Sequence, residues 1–182
     1  MASPKVSFSN SHSSMEDIEE YYVDSETALN HYFNPLNFTK IPDRFVGYTK
    51  SEFDTELKAR KETLDRMCSL EILATIEARL RIDYLVRCQN KKRDKLSRQL
   101  RKIYQTKVNK ASLVDDIIAT WKHIFPEHKT RLDYLVKALD YRNWLAHGRY
   151  WLPKKTPHLY KYDYLAMFTL ASDILSNMDL YE

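Results

Sequence analysis

The sequence predicts an all-α fold, and three observations carry that prediction. Only 2 of the 182 residues are glycine, too few for the tight turns of a strand-rich fold or for a phosphate-cradling loop. Apolar residues recur at three- and four-residue spacing, the period of a helix face. Residues that start and stop helices fall at the ends of these runs. At 43% hydrophobic the chain can bury a core of its own, and its length suits one domain.

Residues 1–14 are polar and serine-rich, and read as a flexible tail ahead of a single helical domain over 15–182. The tail has no apolar run, so it predicts neither a signal peptide nor a membrane anchor. Met15 to about Phe33 predicts an acidic helical extension with Ser14 as N-cap. Asn34 to Tyr48, with Pro35, Pro42 and Gly47, reads as a connection whose Phe38 and Phe45 lie over the bundle. One long helix is expected from about Ser51 to Cys88, with Ser51 and Asp54 as its start signal. Leu70, Leu73, Ile76 and Leu80 give it an apolar seam, continued by Tyr84. Glu77 lies beside that seam, and Arg81 follows at i+4, the spacing of an ordinary intrahelical ion pair.

Asn90 to Lys110 keeps a helical stripe in Leu96, Leu100, Ile103 and Tyr104. Ser112 predicts a cap for a helix carrying Leu113, Ile117, Trp121 and Ile124, which Pro126 stops. Thr130 to His147 is the next helix, with Gly148 where a left-handed cap is wanted. Pro153 and Pro157 keep the following segment extended or turned. A last helix from about Tyr162 to Met178 is expected to bury Leu165, Phe168, Leu175 and Met178. Asp-Tyr-Leu recurs at Asp83, Asp133 and Asp163 without a constant period, so a solenoid is not supported.

Charge is unevenly spread over a chain of net charge +4. From Arg79 to Lys110 twelve Lys or Arg stand against Asp83 and Asp94, a balance of +10. Such a block is compatible with phosphate binding, although a solvated helix face is the usual origin of a charge run. Cys68 and Cys88 fall in one helix about 30 Å apart, too far to pair, which suits a reduced cytoplasmic protein. No stretch is long enough to span a bilayer. The six histidines never form an i, i+4 pair around a carboxylate, and the cysteines lack zinc-knuckle spacing, so neither a metal nor a cofactor is expected. No glycine-framed nucleophile elbow occurs.

The stretch Tyr141–Trp151 stands out instead. Leu132, Leu135, Leu139, Arg142 and Ala146 mark one helix face, so a charge occupies a place where an apolar side chain was due. A charge on a buried stripe is costly unless it is paired or has work to do. A plain C-terminal turn whose last residues reach solvent accounts for the pattern equally well. Asn143 and His147 share a face at i+4 and are placed to hydrogen-bond. A histidine at a helix C-terminus suits acid–base work, and a guanidinium beside it can hold a phosphate bidentately. Arg149, Lys154 and Lys155 add positive charge, and Tyr150 and Trp151 offer faces for base stacking, although Trp144 and Trp151 serve equally as core residues.

Arg142-Asn143-x-x-x-His147 resembles the Arg-(four to six residues)-His motif of the HEPN superfamily, which favours a polar residue after the arginine. The likeness is strongest over Asp140–Trp151, and the helical plan of the rest fits loosely. It implies a HEPN-like helical bundle and a metal-independent endoribonuclease of toxin, abortive-infection or antiviral-defence type. In the family two subunits bring their motifs together, and the 2′-hydroxyl of RNA attacks the adjacent phosphate. Arg142 and His147 are then the catalytic pair and Asn143 orients them. Glu77 is the expected acidic partner of Arg142, with Arg81 and Tyr150 in support, and Arg79, Arg149, Lys154 and Lys155 contact RNA. The expected partners are RNA, a second subunit, and an antitoxin or defence-system protein. Arg149 stands where toxins controlled by a nucleotidyltransferase antitoxin carry a modifiable tyrosine, and Tyr150 comes one residue late, so the likeness does not extend to that mechanism. The alternative reading is a catalytically silent helical module of the same kind that binds RNA, nucleotide or a protein partner.

Overall fold

A computed structural model describes residues 11–150 and 159–181, and no strand occurs among them. Helix α1 spans Met15–Tyr32. The Ser14 hydroxyl accepts from the Asp17 amide at 3.0 Å while the Asp17 carboxylate accepts from the Ser14 amide at 3.2 Å, satisfying two helix-start donors at once. Ser13 is also fixed, its hydroxyl donating to Glu71 at 2.7 Å and its carbonyl accepting from Thr75 at 3.3 Å. Residues 1–10 of the expected tail lie outside the described residues.

Helix α2, Lys50–Gln89, runs for 40 residues, about 60 Å at 1.5 Å per residue. Its start is Thr49 with Glu52 rather than Ser51 with Asp54: the Glu52 carboxylate accepts from the Thr49 amide at 2.7 Å, and Thr49 Oγ1 accepts from the Glu52 amide at 3.3 Å. Helix α3, Lys95–Lys107, begins on the side chain of Asp94 and runs back along α2. The segment expected to be one helix after Ser112 winds first as a π-helical turn, Leu113–Ile118, and only then as α4, Ala119–Ile124. In that wide turn the Ile117 amide reaches back five residues to the Ser112 carbonyl, at 3.1 Å. Helices α5, Lys129–Ala146, and α6, Tyr164–Asn177, complete the bundle.

Helix α2 is the spine. Ile72, Leu73, Ile76 and Leu80 on it are fully enclosed by Leu100 of α3, Ile117, Trp121, Leu132 and Leu135 of α5, and Met167 and Ile174 of α6. Burying each such side chain contributes about 1.5–3 kcal/mol, which makes α2 the element the others close around. Phe38 and Phe45 do not lie over this core. With Phe33 and Phe53 they form a second, smaller core where the end of α1 meets the start of α2.

In α6 the register differs from the expected one. Asp163 caps the helix, accepting from the Ala166 amide at 2.9 Å, and the buried row is Tyr164, Met167, Leu170, Ala171 and Ile174. Leu165 is 69% exposed, Phe168 and Leu175 are half-buried, and only Met178 of the four expected residues is fully covered. The three Asp-Tyr-Leu copies do three jobs, since Asp83 is buried on Arg87, Asp133 pairs with Lys122, and Asp163 is the cap.

Cys68 and Cys88 are buried free thiols. Burial pushes them up to about 11 and about 12 respectively, which suppresses the reactive thiolate. No helix among the described residues is long and apolar enough to cross a membrane.

Candidate functional site

The face of α5 that carries Arg142 starts deep in the core and finishes outside it. Leu132, Leu135 and Leu139 are buried, Arg142 is half-buried, and Ala146 is exposed. The helix ends as a left-handed cap: Gly148 takes φ +80°, its amide donates to Leu145 O at 3.4 Å, and the Arg149 amide donates to Trp144 O at 3.1 Å. Arg149 itself takes φ +58°. This turn sets His147 at the C-cap, exposed, with its amide on the Asn143 carbonyl at 3.0 Å.

The guanidinium of Arg142 reaches α2. Its Nη2 pairs with Glu77 Oε2, while Glu77 Oε1 accepts from Arg81 Nε at 2.8 Å. Arg81 Nη1 goes on to the Ala111 carbonyl at 3.2 Å, in the turn that precedes the π-helical segment. One carboxylate is therefore shared by two guanidiniums, which leaves an excess positive charge around Arg142, five residues before the exposed His147. The side chains of Arg142 and Glu77 are 25% and 20% exposed, and that of Arg81 39%. Burial pulls both arginines below their ordinary pKa, and Arg142 Nε is buried without a hydrogen-bond partner. The guanidinium thus keeps a donor that the protein does not use.

The other expected residues divide. Asn143 and Tyr150 are exposed on the same end of α5, Tyr150 by 85%. Trp144 packs at the core edge, its ring 5.8 Å from Tyr141. Arg149 lines a shallow cleft of about 240 Å³ with Thr63, Arg66, Met67, Leu70 and Leu145. Arg79 is not part of this constellation, because two residues along α2 turn it away from Glu77 toward a cavity lined by Ser13, Ser14 and Thr75. Lys154, Lys155 and Trp151 lie outside the described residues. A much larger cavity, about 790 Å³, opens between α5 and α6 around Tyr134, Leu165 and Leu170, away from Arg142. Among the described residues no group of three His, Cys, Asp or Glu is placed to hold a metal ion.

A second ionic cluster escaped the reading of the sequence. Arg87 Nε holds buried Asp83 at 2.7 Å, and its Nη1 reaches Asp94 at 3.3 Å and Ser97 at 3.4 Å. The Tyr181 amide also donates to Asp83, at 2.9 Å, and the guanidinium lies 4.4 Å from the Tyr181 ring centroid and 5.3 Å from that of Trp121. Both residues continue the α2 seam at helical spacing, the same signal that marked Arg142. This cluster clamps the end of the chain to α2, α3 and α4.

No family model, curated protein or solved structure matches this chain.

Proposed function

We propose that the chain is a metal-independent endoribonuclease of HEPN type, acting as a toxin or antiviral-defence effector, whose site forms where two subunits bring Arg142 and His147 together. The observation that carries this reading is the shared carboxylate. Glu77 holds Arg142 in one orientation without neutralising the pair of guanidiniums, so an anion is still attracted next to an exposed histidine. In the reaction the 2′-oxygen of RNA bonds to the adjacent phosphorus and the bond to the 5′-oxygen breaks, leaving a cyclic phosphate. His147 of one subunit takes the 2′-hydroxyl proton and His147 of the other supplies one to the leaving oxygen. Arg142 supports the charge that builds on the phosphoryl oxygens, and Asn143 orients the pair. Arg142→Ala and His147→Ala are each expected to abolish cleavage of a labelled RNA while helical content stays intact. Undiminished cleavage by both pure variants sinks the proposal.

One feature favours a second reading, a catalytically silent module that binds RNA, nucleotide or a protein partner. Arg142 already has a carboxylate partner, so a phosphate must compete with Glu77 for it. Purified protein that binds RNA with steep salt dependence and never cuts it identifies this case.

A further inference from the structure

The twelve cations between Arg79 and Lys110 look alike in sequence, but the fold sorts them. Arg81 and Arg87 are bound to carboxylates, Lys107 holds Asp116 at 2.7 Å, Arg101 donates to the Lys92 carbonyl, and Lys92 lies over the Tyr181 ring at 4.3 Å. Six others, Lys91, Arg93, Lys95, Arg98, Lys102 and Lys110, are exposed and make no ion pair among the described residues. The acidic residue nearest them in sequence, Asp94, is already occupied by Ser97 and Arg87.

Their placement is ordered. At 100° per residue, Lys95, Arg98 and Lys102 fall within about 60° of arc on α3, opposite the Leu96 and Leu100 side that enters the core. They cover about 10 Å of helix, a continuous row of positive charge along which a strand's backbone can lie. The stripe also leads somewhere. Just beyond α3, the Val108 carbonyl accepts from Tyr84 at 2.8 Å and the Ala111 carbonyl accepts from Arg81, the residue that shares Glu77 with Arg142. Lys110 sits between these two contacts.

We propose that the exposed face of α3 is a phosphate-backbone track that docks single-stranded RNA and leads it toward the Arg142–Glu77 cluster. The track rests on the reading of that cluster as an RNA site. It adds the surface that supplies affinity: a row of cations with no anion to satisfy, on a rigid helix whose end is tied to the site. Contacts of this kind position a strand without reading its bases, so the track is indifferent to sequence.

The test is binding of a fluorescent oligouridylate to the full chain, followed across salt concentration. Lys95→Gln, Arg98→Gln and Lys102→Gln combined are expected to weaken binding roughly a hundredfold near 0.1 M salt, and to flatten the log–log salt slope by about 2, from about 0.7 per lost contact. A control triple, Lys40→Gln, Lys50→Gln and Lys58→Gln, removes the same net charge from the far end of the molecule and is expected to change neither. Matching thermal midpoints exclude unfolding. Wild-type affinity and slope in the α3 variant overturn the proposal, as does equal loss in the control. Tighter binding of wild-type protein to polyglutamate than to the oligonucleotide also overturns it, and points to an acidic protein. Salt-dependent binding that the α3 variant loses, with no cleavage by wild-type protein, supports the track and overturns the catalytic reading alone.

Discussion

Two carboxylate–arginine pairs stand on α2 at the same spacing, Glu77–Arg81 and Asp83–Arg87, six residues apart along one helix. In the second, both side chains are almost wholly buried, at 0% and 4% exposure, and Arg87 is surrounded by Asp94, Ser97, Trp121 and the end of the chain. Two carboxylates meet one guanidinium there, and only the outer one, Asp94 at 42% exposure, reaches solvent. In the first pair the count is reversed. Two guanidiniums meet one carboxylate, all three side chains are partly exposed, and His147 stands nearby in solvent. The same local signal thus makes a structural clamp where the helix is covered on all sides and, on the proposed reading, an anion-attracting site where it is not. Environment decides the role, and spacing does not.

The largest effect expected from this contrast is on stability. Arg87→Ala strips buried Asp83, whose pKa burial already raises, of its guanidinium partner, a loss of about 3–5 kcal/mol that a urea midpoint reads directly. A shift under about 1 kcal/mol breaks the contrast, because it makes the clamp dispensable. At the other cluster, Glu77→Gln keeps the shape but releases Arg142, and cleavage is expected to fall about 100-fold through misplacement. The unfolding midpoint of that variant stays near wild type, since the pair is partly solvated.

Gly148→Ala sharpens the same distinction at smaller scale. Its φ of +80° disfavours a side chain, and nothing lies within 4 Å of an added Cβ, so the expected loss of about 1–2 kcal/mol is backbone strain alone. The smallest expected effect is a pH dependence within the clamp. Burial acts to raise the pKa of Asp94, but hydrogen bonds from Ser97 and the charge of Arg87 outweigh it and hold the group below the usual carboxylate range. A depressed acid stabilises the fold above its unfolded value of about 3.9 and ceases to as pH falls through the folded value. Asp94→Asn keeps the helix cap, so the variant is less stable at neutral pH and converges with wild type in acid. A stability gap that persists in acid refutes this charge role.

Much of the fold is legible in the sequence because its signals are local. Ser14 and Gly148 announce a helix start and a helix end, and the structure puts them there. The start of α2 lies at Thr49 because Glu52 completes a reciprocal capping box there, a closer match to the signature than Ser51 with Asp54. Leu165 falls outside the core because the buried row runs through Tyr164, Met167 and Ile174, one residue ahead of Leu165, Phe168 and Leu175. The π-helical turn has no apolar period of its own to read. Within the site, Arg142 stands out by interrupting a stripe, while its bond to Glu77, 65 positions away, follows from the family resemblance and not from any spacing. Asp83 and Arg87 interrupt the α2 seam in the same way, but no motif accompanies them.

The most direct test places Arg142→Ala and Arg87→Ala side by side, with RNA cleavage rate and unfolding free energy measured on the same preparations. The account predicts that Arg142→Ala loses cleavage while keeping stability within about 1 kcal/mol of wild type, and that Arg87→Ala loses stability first. Cleavage at the wild-type rate by Arg142→Ala contradicts it.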